Sequence, residues 1–289
     1  MFVLKPYLQL TRPANLVTAL ADILAGMAIV GFSFLANDYW LLLVATLGLY
    51  GGGVVMNDVF DAELDAVERP ERPIPSGKVH KQNAALLGVT LLALGALAAA
   101  QYSFISGIIA IVIVVLVILY DRFAKHHTVF GPLVMGMCRG GNLLLGMSVL
   151  PEALTLHSWI AIVPIIYIGA ITLISQDEVH GGKRTTLYLA AALYALVHLA
   201  QLYTSYKEGN LLITVPFVVL HMVLIGRPLL TAINNPEGPL IGKAVKAGVI
   251  SLIVMNAGWC IAFGNWPLAL GVLLLLPVSI QLARIFAVT

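Results

Sequence analysis

Residues 51–65 read GGGVVMNDVFDAELD and join the end of an apolar, glycine-rich run to a cluster of acidic side chains. The protein has 14 acidic residues, and six of them lie within residues 58–71. Successive residues of a helix turn by about 100°, so Asp58, Asp61 and Asp65 are expected to share one stripe. The stretch therefore predicts a membrane helix whose end carries a polar site.

Carboxylates aligned in this way need a positive partner. They repel one another, and the C-terminal end of a helix adds further negative charge. Hard oxygen ligands of this kind suit Mg²⁺ that also holds a substrate phosphate. A solvated acidic loop that caps the helix is the alternative. We favour a metal site at Asp58, Asp61 and Asp65, because the helical spacing directly follows a membrane-like segment, and Glu63 falls on the opposite side.

The composition of the whole chain is that of a membrane protein. Of its 289 residues, 60% are hydrophobic and 10% are charged, and apolar runs long enough to cross a bilayer recur throughout. Continuous runs favour helices and exclude a membrane barrel, whose strands would alternate. We expect an all-α, polytopic helical bundle in the lipid bilayer, formed by a single domain over residues 1–289. The net charge of +2 gives no indication of a nucleic-acid partner.

Ten candidate spans follow from the apolar runs. They lie at about residues 15–36, 39–58, 83–101, 104–120, 129–149, 158–176, 186–204, 210–226, 244–264 and 267–286. The connections between them are short, and the longest is the acidic one at about residues 59–82. Glycine pairs four residues apart, Gly48 with Gly52 and Gly136 with Gly140, predict close helix contacts.

The basic residues predict the orientation of the bundle. With ten spans, 14 of the 16 lysines and arginines fall on one side, and the exceptions are Lys207 and Arg139. The positive-inside rule makes that side cytoplasmic. We therefore expect a multi-pass protein of the inner membrane, with the acidic loops and both termini in the cytoplasm.

A second polar cluster, SQDEVHGGKRT at residues 175–185, ends the sixth predicted span. Asp177 and Glu178 lie at another helix C-terminus and invite the same argument for a cation. The signal is weaker, because adjacent residues diverge by about 100° on a helix. His180 could be a metal ligand, but we interpret it as a solvated loop histidine.

A third cluster, YDRFAKHH at residues 120–127, follows the fourth predicted span. Arg122 and Lys125 could hold a diphosphate as ion-pair donors. The alternative is an ordinary basic loop on the cytoplasmic side. We prefer the ordinary loop for Arg122, and the spacing alone leaves Lys125 undecided.

Arg139 is a charge well inside an apolar run, and Asn142 lies one turn away on the same face. Such residues face a polar cavity or a partner. A buried ion pair between Asp22 and Arg139 is the structural alternative. We expect Arg139 and Asn142 to line a cavity.

These motifs resemble those of the UbiA superfamily of intramembrane prenyltransferases over almost the whole chain. The matching stretches are Arg12-Pro13-Ala14-Asn15, Asn57-Asp58-x-x-Asp61-x-x-x-Asp65, Arg72-Pro73-Ile74-Pro75-Ser76-Gly77, Tyr120 with Lys125, and Gly182-Lys183-Arg184-Thr185. The runs GGGVVMNDVFD and CRGGNLLLG most resemble the EboC subgroup.

The resemblance implies about nine spans around a central cavity, with two Asp-rich motifs that hold Mg²⁺ and a prenyl diphosphate at its cytoplasmic end. The prenyl group would pass to an unidentified acceptor with release of diphosphate. The implied metal ligands and catalytic residues are Asp58, Asp61, Asp65, Asp177 and Glu178. The implied substrate-binding residues are Asn57, Arg72, Tyr120, Lys125, Arg139, Asn142 and Arg184.

The second motif departs from the superfamily pattern, in which two aspartates and a glycine are each separated by three residues. Counting back from Gly182 puts Glu178 at the second aspartate and Ile174 at the first. This departure leaves a non-catalytic carrier of the lipid diphosphate, or an export component, as the alternative function. A CDP-alcohol phosphotransferase would need an Asp-Gly-x-x-Ala-Arg core, which the sequence lacks.

Overall fold

The computed structural model describes residues 4–32, 38–178 and 181–286. These ranges contain thirteen α-helices and no strand. The helices are α1 (Leu4–Leu10), α2 (Pro13–Ile29), α3 (Trp40–Phe60), α4 (Ala62–Glu68), α5 (Lys81–Tyr102), α6 (Phe104–Leu119), α7 (Phe130–Met147), α8 (Pro151–His157), α9 (Ile162–Ser175), α10 (Arg184–Lys207), α11 (Leu211–Asn234), α12 (Gly238–Ala262) and α13 (Trp266–Ile285). A π-helical turn, Tyr120–Ala124, follows α6, and a 3-10 turn, Ser158–Ala161, precedes α9. The predicted all-α bundle is confirmed.

The helices correspond in order to the ten predicted spans. Eight segments of the described chain are long and apolar enough to cross a membrane: α3, α5, α6 with its π turn, α8 to α9 taken together, and α10 to α13. Helix α2 is a shorter apolar helix, and α7 is an 18-residue helix that carries Arg139 and Asn142. The end of the first predicted span and His180 lie outside the described residues.

Contacts between loops define two ends of the bundle. One set joins the ends of α3, α6, α9 and α11, which we call the polar end. It comprises the pairs Asp61 with Lys125, Arg69 with Glu178, and the backbone N–H of Gly182 with the carbonyl oxygen of Pro236. At the opposite end, the Tyr102 hydroxyl donates to the carbonyl oxygen of Val149 at 2.9 Å, and Asn210 donates to that of Ala262 at 3.1 Å. The long helices therefore alternate in direction.

Glycines set the closest helix contacts, as the spacing predicts. A Cβ at Gly52 of α3 would lie 2.8 Å from the carbonyl oxygen of Gly88 on α5. A Cβ at Gly140 of α7 would lie 2.9 Å from the carbonyl oxygen of Ala161, next to α9. Such distances leave no room for a side chain, so the helix backbones touch. This packing fixes the position of α3, whose end carries the acidic motif.

Candidate functional site

A cavity of about 660 Å³ opens at the polar end of the bundle. Its charged and polar lining includes Arg12, Asn57, Asp61, Asp65, Arg72, Tyr120, Asp121, Lys125, Asp177 and Glu178. Its apolar lining includes Leu49, Val54, Ile113, Val117, Met135, Ile168, Ile171, Val245 and Val249. Leu49 precedes Asn57 by about two turns of α3, so the cavity passes from charged groups into the apolar interior of the bundle.

The acidic motif lies where α3 passes into α4. Helix α3 ends at Phe60, but the N–H of Asp61 still donates to the oxygen of Asn57, and that of Asp65 to the oxygen of Asp61. The turn therefore continues, and Asn57, Asp61 and Asp65 face the cavity. Asp58 lies one position further around the helix and is not among the lining residues.

Each aspartate of this motif has a basic partner. Arg12 contacts Asp58 at 2.8 Å, and Lys125 forms an ion pair with Asp61. Arg72 contacts Asp65 at 2.7 Å and Asp58 at 3.5 Å. These cations offset the repulsion that the sequence predicts among aligned carboxylates, and they place three basic side chains beside the mouth of the cavity.

Arg12 also belongs to this site, although the sequence alone indicates no role for it. It precedes Pro13 at the start of α2 and has a left-handed backbone with φ of 45°. A non-glycine residue rarely adopts that conformation, and such strain often marks a functional position. Its one sequence signal is the Arg-Pro-Ala-Asn opening, which gave no hint of a contact with a residue 46 positions away.

The carboxylate oxygens at this site suit Mg²⁺ that is bound together with a substrate phosphate. Within the described ranges, no three histidine, cysteine, aspartate or glutamate side chains converge to form an ion site by themselves. Mg²⁺ commonly takes one or two carboxylates and completes its octahedral shell with water and substrate phosphates. Asp61 and Asp65 lie at the surface of the cavity and supply hard oxygens of that type, so the residues fit a cation that arrives with a phosphate ligand.

The second motif reaches the same cavity from α9. Asp177 and Glu178 both line it, and Glu178 lies 4.0 Å from Arg69 of the acidic loop. Asp177 packs against Gly182 and has no ion-pair partner among the described residues. Ile174 is 0% exposed and does not line the cavity. The position that the motif pattern assigns to its first aspartate therefore faces the packed interior.

The turn after α6 brings Tyr120 and Lys125 together at the cavity. The N–H of Lys125 donates to the carbonyl oxygen of Tyr120 at 2.9 Å, which is the five-residue hydrogen bond of a π turn. In an α-helix the two residues would lie about 140° apart, whereas this bond places Lys125 one turn beyond Tyr120. Single π turns occur often at functional sites.

Asp121, in the same turn, is a second site residue for which the sequence alone indicates no role. Its side chain lines the cavity and is 8% exposed. The Asn57 amide, which the resemblance assigns to diphosphate binding, donates to Oδ1 of Asp121 at 2.8 Å. In the sequence, Asp121 is marked only by its position next to Tyr120. Its contact with Asn57 of α3 depends on the tertiary fold.

The structure shows the ion pair between Asp22 and Arg139 that the sequence left as the alternative. Arg139 also donates to Thr18 at 2.7 Å, and Asn142 donates to Asp22 at 3.2 Å. Asn256 donates to the other oxygen of Asp22 at 2.7 Å. Arg139 and Asn142 also line the cavity, so this polar network links α2, α7 and α12 and forms part of the wall.

Arg184 is not brought to the cavity. It donates to the carbonyl oxygen of Asn234 at 3.0 Å and so binds the last turn of α11. The neighbouring Lys183 lines a separate pocket of about 560 Å³, which shares Gln176 and Asp177 with the main cavity. The contact of Arg184 with a helix C-terminus is a favourable placement for a cation.

The bundle of long apolar helices, with a cavity that has a charged end and apolar walls, is that of a multi-pass membrane protein. The chain belongs to the UbiA prenyltransferase family, whose family model matches residues 19–239. This match confirms the superfamily resemblance, whereas membership of the EboC subgroup stays a prediction.

Curated relatives include digeranylgeranylglyceryl phosphate synthases. The protein of this name from Methanothermobacter thermautotrophicus is 32% identical over 151 residues, which are 52% of each chain. That from Ignicoccus hospitalis is 31% identical over 179 residues, covering 62% of this chain and 58% of the relative. The chain therefore spans about half the length of the curated relatives it matches.

Solved structures of related proteins share the fold. A UbiA homolog from Aeropyrum pernix K1 in its apo form has a TM-score of 0.68 at 16% identity, covering 84% of this chain and 96% of that one. A UbiA homolog from Archaeoglobus fulgidus bound to DMAPP and Mg²⁺ has a TM-score of 0.65 at 14% identity, covering 85% and 98%.

Proposed function

We propose that this protein is a Mg²⁺-dependent prenyltransferase that moves an isoprenyl group from a prenyl diphosphate to an acceptor and releases diphosphate. The observation that carries the proposal is the composition of the cavity, in which carboxylates and basic side chains at the polar end adjoin apolar walls. A prenyl diphosphate has the same division between a charged head and an apolar tail. The Archaeoglobus homolog bound to DMAPP and Mg²⁺ supports this choice of ligand.

The charged end is suited to stabilise a leaving diphosphate. Asp61 and Asp65 would hold Mg²⁺, together with Asp177 and Glu178 from the end of α9, and bound Mg²⁺ would supply charge that stabilises the departing oxygens. Arg12, Arg72 and Lys125 would exchange their aspartate partners for diphosphate oxygens. We assign Asp58 an indirect role, because it binds Arg12 and Arg72 without lining the cavity.

Bond cleavage places the charge of an allylic cation within the apolar part of the cavity. The C1–O bond breaks, its electron pair leaves with diphosphate, and an acceptor nucleophile then bonds to C1. Walls such as Ile113, Val117 and Ile171 exclude water, which would otherwise capture the cation. Tyr120, Arg139 and Asn142 would bound the ends of this space. Arg184 has no assigned role in our proposal, since it binds α11.

The relatives' name suggests the class of donor and acceptor. Digeranylgeranylglyceryl phosphate carries two geranylgeranyl groups on a glyceryl phosphate, so its singly prenylated form is a reasonable probe acceptor for this chain. We propose the inner membrane as the location, with the polar end of the bundle and both termini in the cytoplasm, on the basis of the basic residues. We also propose that residues 1–289 form one domain.

The test is diphosphate release by the purified chain in lipid nanodiscs. Geranyl, farnesyl and geranylgeranyl diphosphates serve as donors, with geranylgeranylglyceryl phosphate and a bacterial membrane-lipid extract as acceptors. We expect Mg²⁺-dependent release and a prenylated product, both lost in Asp61→Asn. Saturable Mg²⁺-dependent binding without release under any of these conditions would favour the second candidate function, a carrier, which the departure of the second motif from the superfamily pattern supports.

A further inference from the structure

We propose that Asp121 is a catalytic residue of the transfer step, where it accepts a hydrogen bond and then the proton from the nucleophilic hydroxyl of the acceptor. The inference rests on the prenyltransferase function proposed above and names the group that handles the acceptor. Oδ2 of Asp121 is buried and has no hydrogen-bond partner among the described residues.

An unpaired carboxylate oxygen is unusual in a protein interior. A buried charged group without a partner is costly, and an exception of this kind calls for an explanation. The side chain is more than nine-tenths buried, yet it belongs to the lining of the cavity. Oδ2 is not exposed to a water-sized group in the unliganded cavity, so the hydroxyl of an acceptor would reach it through a small movement of the cavity wall when the substrate binds.

The carboxylate is held in a fixed orientation. The Asn57 amide donates to Oδ1 at 2.8 Å, which leaves Oδ2 as the free acceptor. A base that a third group orients in this way is a common arrangement in enzymes that activate a nucleophile. The π turn of residues 120–124 carries Asp121, and its last hydrogen bond, from the N–H of Lys125 to Tyr120, fixes the turn.

Asp121 differs in its partners from the three carboxylates of the first acidic motif. Asp58, Asp61 and Asp65 each bind at least one basic side chain, and those cations are the groups available to the diphosphate. Asp121 forms no ion pair in the part of the chain described, because Lys125 of its own turn reaches Asp61 instead. Asp121 lines the same cavity as Asp61, Asp65 and Lys125, and we place its free oxygen where C1 of the prenyl group and the incoming acceptor would meet.

Transfer to the acceptor forms two bonds and breaks two. The acceptor oxygen bonds to C1 of the prenyl group, the C1–O bond to diphosphate breaks, and its electron pair leaves with diphosphate. The hydroxyl proton passes to Oδ2 of Asp121, and release of that proton to solvent restores the carboxylate. An alcohol is the acceptor class that this arrangement fits, since its hydroxyl is both the donor to Oδ2 and the nucleophile.

The experiment compares Asp121→Asn with Glu63→Gln as the matched control. Glu63 loses the same charge, but its side chain is 96% exposed and pairs with Lys81 outside the cavity. The probes are geranylgeranyl diphosphate, Mg²⁺ and geranylgeranylglyceryl phosphate. Three quantities are measured: the Kd of the diphosphate, total diphosphate release, and the ratio of transfer product to the alcohol formed by capture of water.

We expect Asp121→Asn to bind the diphosphate within about 2-fold of wild type, while transfer falls by about 100-fold or more and the ratio shifts towards the water product. Transfer within about 3-fold of wild type would overturn the proposal. A parallel loss of diphosphate affinity would also overturn it, and would make Asp121 a metal ligand or the alternative partner of Lys125.

If Asp121→Asn fails to fold, a second variant, Asp121→Ala, tests the role of Asp121. Asp121→Ala leaves space at the carboxylate position, so added formate should restore part of the transfer rate there and should leave Glu63→Gln unchanged. Absence of such rescue in an Asp121→Ala protein that still binds the diphosphate would contradict the proposal. Failure of wild type to form a transfer product with any donor and acceptor of the function test would overturn both proposals, whereas normal transfer by Asp121→Asn would overturn only the role of Asp121.

Discussion

Arg72 contacts two of the three aspartates of the first motif, and Arg12 and Lys125 supply the remaining contacts. At the scale of single residues, the same cations serve two purposes. Without a ligand they neutralise carboxylates that would repel one another, and a diphosphate would compete for them. Binding of Mg²⁺ to the carboxylates would release the cations, so metal and diphosphate are expected to bind cooperatively.

Replacing Asp61 with Asn should therefore weaken Mg²⁺-dependent binding of a prenyl diphosphate by at least about 10-fold. Asp61 faces the cavity, and the change removes a charged oxygen ligand without altering the size of the side chain. Isothermal titration with geranyl diphosphate, with and without Mg²⁺, measures the effect. Glu63→Gln is the control on the exposed side of α4, and undiminished binding by Asp61→Asn would exclude Asp61 as a ligand.

The buried pair of Asp22 and Arg139 leads to a prediction about stability. Arg139→Met leaves the Asp22 carboxylate buried without its cation, which should lower the free energy of unfolding by about 3–5 kcal/mol. The double variant Asp22→Asn with Arg139→Met should recover much of this loss, because an Asn side chain can still accept from Asn256. Thermal denaturation in detergent measures both variants. A double variant no more stable than Arg139→Met would contradict the account.

At the scale of helices, close packing of α3 against α5 fixes the position of the acidic motif. A Cβ at Gly52 would lie 2.8 Å from backbone oxygen of α5, whereas one at Gly51 would meet Leu16 and Leu91 side chains at 3.5 and 3.7 Å. The first distance requires the helices to separate, and the second is an ordinary contact. The two neighbouring glycines thus form a matched pair for a test.

Gly52→Ala should destabilise the protein by about 1–3 kcal/mol, because the added methyl group meets backbone that cannot move aside. It should also weaken diphosphate binding, since α3 carries Asn57 and leads directly into Asp61. Gly51→Ala should stay within about 1 kcal/mol of wild type, because alanine favours the helix and finds room. Thermal denaturation and diphosphate titration of both proteins provide the measurement, and equal losses in the two variants would count against the packing argument.

The sequence predicts the helices better than it predicts the site. Apolar runs and the alternating basic loops gave ten segments that correspond in order to the long helices, because burial in lipid acts on local composition. The ion pair of Lys125 with Asp61 joins residues 64 positions apart and depends on a π turn. Local spacing has no signal for that turn, so it left Lys125 undecided and Asp121 unnoticed.

The side chain of Ile174 shows a second limit of prediction from sequence. Pattern counting placed it at the first aspartate of the second motif, which suggested a missing ligand in the cavity. The cavity-facing side of α9 instead includes Ile171, Thr172 and Ser175, and Ile174 packs into the interior. Which side of a helix faces a cavity depends on its neighbours, and those neighbours are distant in sequence.

At the scale of the whole molecule, the site requires several loops to lie at the same end of the bundle. The loops after α3, α6 and α9 all line the one cavity, and Gly182 binds Pro236 from the loop after α11. Helices that alternate in direction produce this arrangement. The basic residues predict that this end faces the cytoplasm, where water-soluble diphosphate and Mg²⁺ would be exchanged.

Cysteine labelling of intact cells tests that orientation. With Cys138 and Cys260 replaced by alanine, a cysteine at the exposed Ser76 of the polar end should resist a membrane-impermeant maleimide added from outside. A cysteine at Lys207, which is exposed at the end of α10 remote from the cavity mouth, should react. Permeabilised cells should label at both positions, which shows that each cysteine is accessible. The long helices place the two positions at opposite ends of the bundle. In intact cells, one of the two cysteines should therefore be labelled and the other should not. Labelling of Ser76→Cys but not of Lys207→Cys in intact cells would reverse the orientation and place the diphosphate end outside the cytoplasm.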